Sequence, residues 1–266
     1  MTWSLAKEAN VALAVAAMNV HRFLHDWKNS LTFVLFFPVV FLGILAVVIG
    51  QNVGSGLGYD YLQFALLGTT AFLLMQFCIM SVTSLVEERE TGFTQEIFVS
   101  PASRGSIFIG KILGGSVTSL VQLPMLCLIG FLIGMPITPA LVCAILLVSP
   151  VLFLMGGAFG VLISGMFGTS PKAADQAGVM IMFPQMFLSG ALIPIRNSSG
   201  ALEVHVRLMP LTYVVDLLRG LFYNGTPTYG QTVLYNPVID LAIYLTISVT
   251  FLVVGMVLFV RGERNG

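Results

Sequence analysis

An all-α membrane protein with six transmembrane helices is the fold class that this sequence predicts, and two observations predict it. Residues 112–171 contain sixty consecutive positions without Asp, Glu, Lys or Arg, interrupted only by a Pro-containing turn at 134–139. Hydrophobic residues make up 57% of the chain and charged residues 9%, whereas soluble domains average about 25% charged. Charges are costly in hydrocarbon, and lipid offers the backbone no hydrogen bonds, so such a chain crosses the bilayer as helices.

Six apolar segments are long enough to cross, since a spanning helix needs about 20 residues. The predicted spans are 31–50, 63–86, 112–134, 140–166, 176–195 and 241–260. With 266 residues, the chain has room for one membrane domain, here 31–266, preceded by a segment at 1–30.

The distribution of Lys and Arg predicts the orientation. Nine of these residues fall on the side that holds both termini: Lys7, Arg22, Lys28, Arg89, Arg104, Lys111, Lys172, Arg261 and Arg264. The other side receives three, Arg196, Arg207 and Arg219. The excess of positive charge marks the cytoplasmic side, so both termini are predicted to be cytoplasmic.

Residues 1–30 are predicted to contain an amphipathic helix that lies along the inner membrane surface. Apolar residues recur at helical spacing at Val20, Phe23, Leu24, Trp27 and Leu31. The opposite face carries His21, Arg22, His25, Asp26 and Lys28. A helix with one apolar and one charged face is typical of interfacial anchors.

A long cytoplasmic loop at 87–111 is the first candidate for a functional segment. It begins with an acidic run, Gly92 breaks the descending helix, and residues 94–100 have the pattern of a short helix that ends before Pro101. Exposed aromatics beside an acidic run suit docking to a second protein. The alternative is a solvated charge run beside a helix packed under the bundle.

The second candidate segment lies on the outer side, at 196–239. Two apolar half-length stretches, 202–208 and 211–223, are separated by Pro210, and each is too short to cross. Glu203 and Arg207, like Asp216 and Arg219, have a spacing that lets each pair meet on a helix face. We expect two half-helices that dip into the outer leaflet and return, and the alternative is an amphipathic surface loop.

Two motifs that resemble catalytic sites have simpler explanations. Residues 105–111 match seven positions of a phosphate-binding loop, but Ile112 stands where Ser or Thr binds magnesium, and Gly110 and Gly114 suit close helix packing instead. His21 and Asp26 have no nearby third partner, so no catalytic and no metal site is predicted. The zero net charge gives no attraction to nucleic acid.

The middle of every predicted span lacks Asp, Glu, Lys, Arg and His, which ion-coupled carriers commonly place there. The energy for any transport must then come from elsewhere. Polar and flexible residues in the second and fifth spans are the candidates for a substrate path: Gln76, Met182, Gln185 and Ser189.

Three stretches of the chain also carry a family resemblance. The first runs from Glu88-Arg89-Glu90-Thr91-Gly92 through Ser100-Pro101-Ala102-Ser103-Arg104 to Gly110-Lys111. The second is Phe187-Leu188-Ser189-Gly190 with Pro194, and the third is Pro210-Leu211-Thr212-Tyr213 followed by Asp216-Leu217-Leu218-Arg219. In this order they resemble the permease subunits of ABC-2-type transporters, most closely the bacterial drug-resistance exporters of the daunorubicin type.

The resemblance implies a transport subunit that is not itself an enzyme, located in a bacterial inner or plasma membrane. Two permease copies, or close paralogues, would pair above two separate ATPase subunits, which would hold ATP and magnesium, so this chain needs no cofactor of its own. The cytoplasmic loop would carry the helix that docks to the ATPase, and the outer half-helices would form a gate at Pro210, Asp216 and Arg219. The docking residues would be Glu88, Arg89, Glu90, Gly92, Phe93 and Glu96.

The function implied is the export of an amphipathic or hydrophobic substrate, a drug or a lipid-like molecule. Two alternatives remain open. One is a permease of the same family that exports a glycolipid or polysaccharide. The other is a membrane-embedded transferase that uses His21 and Asp26.

Overall fold

The computed structural model describes residues 5–53, 56–90, 103–168, 170–195 and 200–265. Helices account for nearly all of these residues, as the apolar composition predicts, and no strand occurs among them. In chain order the helices are α1 Leu5–His25, α2 Trp27–Pro38, a π-helical segment Val39–Ala46, α3 Val47–Val53, α4 Tyr61–Glu90, α5 Arg104–Leu120, α6 Gln122–Leu132, α7 Pro139–Phe167, α8 Pro171–Leu188, α9 Ala201–Leu208, α10 Pro210–Phe222, α11 Tyr229–Thr232 and α12 Pro237–Asn265.

Five helical segments of the described chain are long and apolar enough to cross a membrane. They are Val34–Asn52, Tyr61–Glu88, Arg104–Leu132, Pro139–Phe167 and Tyr229–Gly262. Each corresponds to one predicted span, although the helices extend further than the apolar runs. The chain is therefore a multi-pass helical membrane protein.

The predicted span 176–195 does not have the predicted bounds. The helix in this region, α8, begins at Pro171 and ends at Leu188, after which the chain turns without helical structure as far as Ile195. Its first half contains Lys172 and Asp175, so it is more polar than the five other segments. Eighteen helical residues measure about 27 Å, slightly less than the hydrocarbon core of about 30 Å. A sixth crossing by α8 stays a prediction.

The N-terminal helix also differs from the prediction. It starts earlier, at Leu5, and it ends at His25, so Trp27 and residues beyond it belong to the next helix. The buried residues of α1 are Ala12 and Val15, whereas Leu24 is 60% exposed. The periodicity at 20–31 therefore indicated helix correctly but not the face that packs against the protein.

Close packing of α1 on α5 depends on two glycines. A Cβ atom on Gly110 would lie 2.6 Å from the Ala12 carbonyl oxygen, and one on Gly114 would lie 2.7 Å from the Cβ of Asn19. No side chain fits at these distances, which confirms the prediction that Gly110 and Gly114 serve helix packing. The site that resembled a phosphate-binding loop is thus one face of a helix pair.

The centre of the bundle is α7, which packs along α4 on one side and along α12 on the other. α4 is the most enclosed of the spans, and its buried residues form the middle of the apolar core together with those of α7. The short outer helix α10 lies against α4, α7 and α12 together. Movement of α10 is consequently coupled to three of the longest helices.

Candidate functional site

Ionic contacts in the protein interior join three helices at the C-terminal end of α4, the end that the sequence predicts to be cytoplasmic. The Lys111 Nζ of α5 lies 2.5 Å from the Glu88 Oε1 of α4, and their side chains are 0% and 2% exposed. The Arg22 Nη1 of α1 lies 2.7 Å from the same oxygen, with its side chain half exposed. Ser84, one turn before Glu88, donates to Glu88 at 3.3 Å and accepts from Lys111 at 3.2 Å. Arg22, Glu88 and Lys111 are called the cytoplasmic ion cluster below.

Two further side chains of α1, Glu8 and Asn19, make polar contacts that hold it to α4 and α5. The Glu8 carboxylate accepts hydrogen bonds from the hydroxyls of Ser103 and Ser106, at the start of α5. These hydrogen bonds, of which the one from Ser106 has the larger effect, hold the pKa of Glu8 below its usual range. Further along α1, the Asn19 amide donates to the Ser81 hydroxyl of α4 at 2.5 Å. The helix is thus attached to α5 near its beginning and to both α4 and α5 near its end.

A cavity of about 380 Å³ lies beside the cytoplasmic ion cluster, between α1 and α4. Its polar lining is Asn19, Arg22, Asp26, Ser81, Ser84, Glu88 and Thr118, and its apolar lining is Phe23, Phe77 and Met80. It is open to the surface of the chain. An amphipathic molecule in this cavity would contact both polar and apolar side chains.

Of the six residues predicted to dock a partner, the structure gives a side-chain environment for Glu88. Arg89 and Glu90 form the last turn of α4, and the environment of their side chains is not described. Gly92, Phe93 and Glu96 fall in 91–102, outside the described residues. The sequence analysis did not find the roles of Lys111 and Arg22. A signal was present, because Lys111 is the last cation before sixty uncharged positions and a lysine at such a place needs a carboxylate.

On the side that the sequence predicts to be the outer one, α10 is covered by protein along most of its length. Every residue from Pro210 to Gly220 is buried, among them Arg219, which is 3% exposed. The Arg219 guanidinium donates to the Phe64 carbonyl at 3.0 Å and to the Ala191 carbonyl at 3.1 Å, and it lies 3.3 Å from the centre of the Phe64 ring. It thereby connects α10 to the outer end of α4 and to the turn that follows α8.

Asp216, the second charged residue of α10, bonds the backbone of a different segment. Its two carboxylate oxygens accept from the N–H groups of Leu234 and Tyr235, each at 2.7 Å. The predicted direct pair between Asp216 and Arg219 is therefore wrong, because Asp216 accepts from backbone N–H groups and Arg219 Nη2 donates to backbone carbonyls. The other predicted pair is confirmed, since Arg207 Nη2 lies 2.6 Å from Glu203 Oε1 on exposed α9.

All four residues predicted for a substrate path are buried within the chain. Gln76, Met182, Gln185 and Ser189 are each at most 6% exposed. The Gln185 side-chain oxygen accepts from the Leu211 N–H at 3.3 Å, at the start of α10. The Ser189 hydroxyl accepts from Ala191 N–H, so both residues support the contact between α8, its following turn and α10.

That turn approaches α4 so closely that only glycine fits opposite it. A Cβ atom on Gly68 would lie 1.9 Å from the Ala191 carbonyl oxygen. Tyr61, at the beginning of α4, donates its hydroxyl to the Leu192 carbonyl at 2.7 Å. The outer ends of α4, α8 and α10 are therefore one bonded unit.

His21, His25 and Asp26, the group considered for transferase chemistry, are all exposed. The two imidazole rings lie 6.4 Å apart at their centres on α1, and Asp26 follows that helix at the break before α2. In the described parts of the chain, no three His, Cys, Asp or Glu side chains gather as a metal site would require. The arrangement offers an exposed polar surface rather than an enclosed reaction site.

Comparison with known proteins places this architecture in a class of transport proteins. The profile of the ABC-2 type transporter family matches residues 12–223, which is most of the chain. The chain belongs to the ABC-2 type transporter family. Its members are membrane-spanning transport subunits that work with an ATP-binding partner, so the transferase alternative is not supported.

Individual relatives agree with this assignment. The chain is 22% identical over 237 residues to the probable doxorubicin resistance ABC transporter permease DrrC of Mycobacterium tuberculosis, covering 85% of this chain and 84% of the relative. It is 29% identical over 150 residues to the probable multidrug ABC transporter permease YbhR of Escherichia coli, covering 54% and 39%. It is 23% identical over 195 residues to nodulation protein J of Rhizobium meliloti, covering 71% and 72%.

Proposed function

We propose that this chain is the membrane-spanning permease of an ATP-driven exporter that moves an amphipathic or hydrophobic substrate out of the cytoplasm or the inner leaflet. A second permease copy, or a close paralogue, pairs with it, and two copies of a separate ATPase dock below. ATP and magnesium are held by the ATPase. Both termini lie on the cytoplasmic side of a bacterial inner or plasma membrane, which requires α8 to cross as the sixth span.

The cytoplasmic ion cluster is the observation that carries this proposal. α4 is one uninterrupted helix of 30 residues whose cytoplasmic end leads directly into the loop predicted to dock the ATPase. Because Glu88 binds both Lys111 and Arg22, a displacement of that loop moves α1, α4 and α5 together rather than α4 alone. We therefore propose that Glu88 positions the docking segment, and that Arg89, Glu90, Gly92, Phe93 and Glu96 make the contact.

At the outer end, α10 and its preceding helix act as the gate in this proposal. Arg219 bonds α10 to α4 and to the turn after α8, while Asp216 bonds it to the segment before α12. Pro210 lacks an N–H group and starts α10 at a defined position. Motion that travels up α4 reaches Phe64 and Tyr61, whose bonds to Arg219 and Leu192 would be the ones that change.

The substrate path runs between the paired permeases, beside α4 and α8. In the structure α10 covers Gln185, and the buried positions Gln76, Met182 and Ser189 are closed to substrate. We propose that these four residues become lining when the outer gate opens. The mildly polar and apolar composition of this set suits an amphipathic substrate, and the resistance permeases among the relatives are consistent with one.

The decisive test is reconstitution of the purified chain in vesicles with and without its cognate ATPase, which copurification identifies. We expect ATP-dependent efflux of a fluorescent amphipathic drug only when the ATPase is present. Collapse of the proton gradient should not abolish that efflux. Efflux by the chain alone would overturn the proposal, as would failure of any ATPase to copurify from a host that expresses both.

Two variants separate the coupling step from the path. Phe93→Ala is expected to lower the amount of ATPase that copurifies, whereas Gln185→Ala is expected to leave docking intact and to lower substrate-stimulated ATP hydrolysis. A lipid-linked oligosaccharide, tested beside the drug in the same vesicles, distinguishes the glycolipid alternative. Transport of the oligosaccharide without the drug would favour that alternative.

A further inference from the structure

A second buried carboxyl group lies next to Asp216 and has no role in the gate described so far. Asp240 is in the first turn of α12 and is 0% exposed. Within the described parts of the chain, no N–H or hydroxyl group donates to either of its carboxyl oxygens. An ionised carboxylate buried without a donor is strongly disfavoured, because nothing replaces the water that it has lost.

The carboxyl of Asp216 lies within hydrogen-bonding reach of Asp240. Asp216 is already an acceptor at both of its oxygens, through the N–H groups of Leu234 and Tyr235. Burial raises the pKa of Asp216, whereas the two N–H groups and the Arg219 guanidinium oppose the rise. A carboxyl that accepts from two backbone N–H groups is best satisfied as a carboxylate.

The charged groups around Asp216 and Asp240 balance the negative charge of only one of these two carboxyl groups. α10 contributes Tyr213, Tyr223 and Arg219, and the turn before α12 contributes Tyr235. α12 contributes Tyr244, and α9 contributes Arg207. Tyr59 and Asp60 directly precede α4, and Tyr61 is its first residue. α7 has no Asp, Glu, Lys, Arg, His or Tyr. Arg219 is the only buried cation in this set, so a single carboxylate balances it.

We propose that Asp240 and Asp216 together form a proton-binding site, in which a protonated Asp240 donates its hydroxyl to the Asp216 carboxylate. The bound proton comes from the aqueous phase, and no bond other than the O–H bond forms or breaks. The shared proton joins the beginning of α12 to α10, and the chain between these two helices contains α11 and the turn at 233–236.

Loss of this proton leaves two adjacent carboxylates against one guanidinium. The two carboxylates repel each other across the contact between α10 and α12. This repulsion weakens the hydrogen bonds that the Leu234 and Tyr235 N–H groups donate to Asp216. The segment between α10 and α12 therefore opens more readily at high pH than at low pH. Acid on this side keeps α10 in the position seen in the structure.

Infrared spectroscopy of the full chain in lipid nanodiscs tests the site directly, since a protonated carboxyl has its own C=O stretching band. We expect the wild-type protein at neutral pH to show such a band, to lose it as pH is raised, and to lack it in Asp240→Asn. Glu203→Gln is the matched control, because it removes an exposed carboxylate on neighbouring α9 and should leave the band unchanged. A wild-type spectrum without the band, or a band that persists in Asp240→Asn, would overturn the proposal.

Hydrogen exchange supplies a readout that a merely structural aspartate would not change. After correction for the intrinsic pH dependence of exchange, the peptide that contains Leu234 and Tyr235 should lose protection as pH rises in the wild-type protein. Asp240→Asn keeps a neutral donor beside Asp216, so its protection should stay independent of pH. Equal pH dependence in the two proteins would refute the shared proton even if the variant were less stable.

Discussion

Lys111 illustrates how a single residue in this chain is held in a place that its charge disfavours. Its ammonium group is fully buried and lies 2.5 Å from a carboxylate that is itself 2% exposed. Each group offsets the lost hydration of the other, and Ser84 contacts both. Removal of the Glu88 carboxylate leaves the Lys111 ammonium buried without an opposite charge.

The first prediction follows from that asymmetry. Glu88→Gln is expected to destabilise the protein by about 3–5 kcal/mol, because the buried Lys111 ammonium is then left without an opposite charge. Combining it with Lys111→Met should recover part of the loss, because the buried ammonium is then removed as well. The measurement is reversible unfolding in detergent, in a double-mutant cycle.

Glu203→Gln provides the control for this cycle. It breaks an ion pair at the same kind of distance, 2.6 Å, but with both side chains exposed. Exposed pairs contribute little, so we expect no clear change in unfolding. Equal changes in the free energy of unfolding at the buried and the exposed ion pair would show that burial does not determine how much the Lys111–Glu88 pair contributes.

The second prediction concerns Glu8 and acid. Hydrogen bonds from Ser106 and Ser103 hold its pKa below the usual carboxyl value of about 4.3, so the folded protein favours the ionised form. Its contribution is complete above that usual value and is lost as pH falls through the lowered folded-state pKa. Thermal unfolding between neutral and strongly acid pH should show a steeper decline for the wild-type protein than for Glu8→Gln. Parallel curves would contradict this.

At the scale of elements, the contact of α1 with α5 is set by small residues rather than by the apolar stripe of α1. Gly110 faces Ala12 and Val15, and Gly114 faces Ala16 and Asn19. Backbones approach closely where side chains are absent, and packing then replaces the hydrophobic effect as the source of helix association in lipid. This explains why α1 is attached to the bundle instead of lying apart on the membrane surface.

The third prediction tests that contact with two identical changes. Gly110→Ala places a methyl group 2.6 Å from the Ala12 carbonyl oxygen and should cost about 1–3 kcal/mol by displacing α1. Gly178→Ala, on α8, meets no atom within 4 Å and should be neutral or stabilising. Limited proteolysis of α1 and thermal unfolding report both effects. Equal stability of the two variants would argue against close packing of α1.

In the molecule as a whole, one helix, α8, has an exposed side that is poorly suited to contact with lipid alone. α8 exposes Asp175, Gln176, Val179, Met180 and Phe183 along one side. Polar residues at its beginning make it less apolar than the five segments that qualify as spans. A helix of this kind is better covered by another protein than by hydrocarbon, which supports the proposed pairing of permeases.

The fourth prediction locates that pairing. In a background without the native cysteines Cys78, Cys127 and Cys143, Met180→Cys is expected to form disulfide-linked dimers in membranes. Leu147→Cys is the control, because Leu147 is 69% exposed on α7, comparable to 75% for Met180, and the proposed interface does not include it. Cross-linking at Leu147 without cross-linking at Met180 would move the interface to another face.

The order of residues was enough to predict that this chain crosses a membrane as helices, and it located the five helical segments that are long and apolar enough to do so. Long uncharged runs allow no other structure, because the backbone in lipid must satisfy its own hydrogen bonds. It also located the two outer half-helices, since Pro210 ends one and begins the next, and it identified Gly110 and Gly114 as packing residues. These features depend on local chemistry, which the order of residues contains.

Which charged groups meet could be learned only from the folded arrangement of the helices. Lys111 and Glu88 are 23 residues apart and Arg22 is 66 residues from Glu88, so no local pattern connects them. Asp216 and Arg219 were matched by helical spacing, yet Asp216 bonds the backbone before α12, and Arg219 bonds α4 and the turn after α8. Partners of a buried charge are selected by whatever surrounds it after packing, and that depends on the arrangement of all the helices at once.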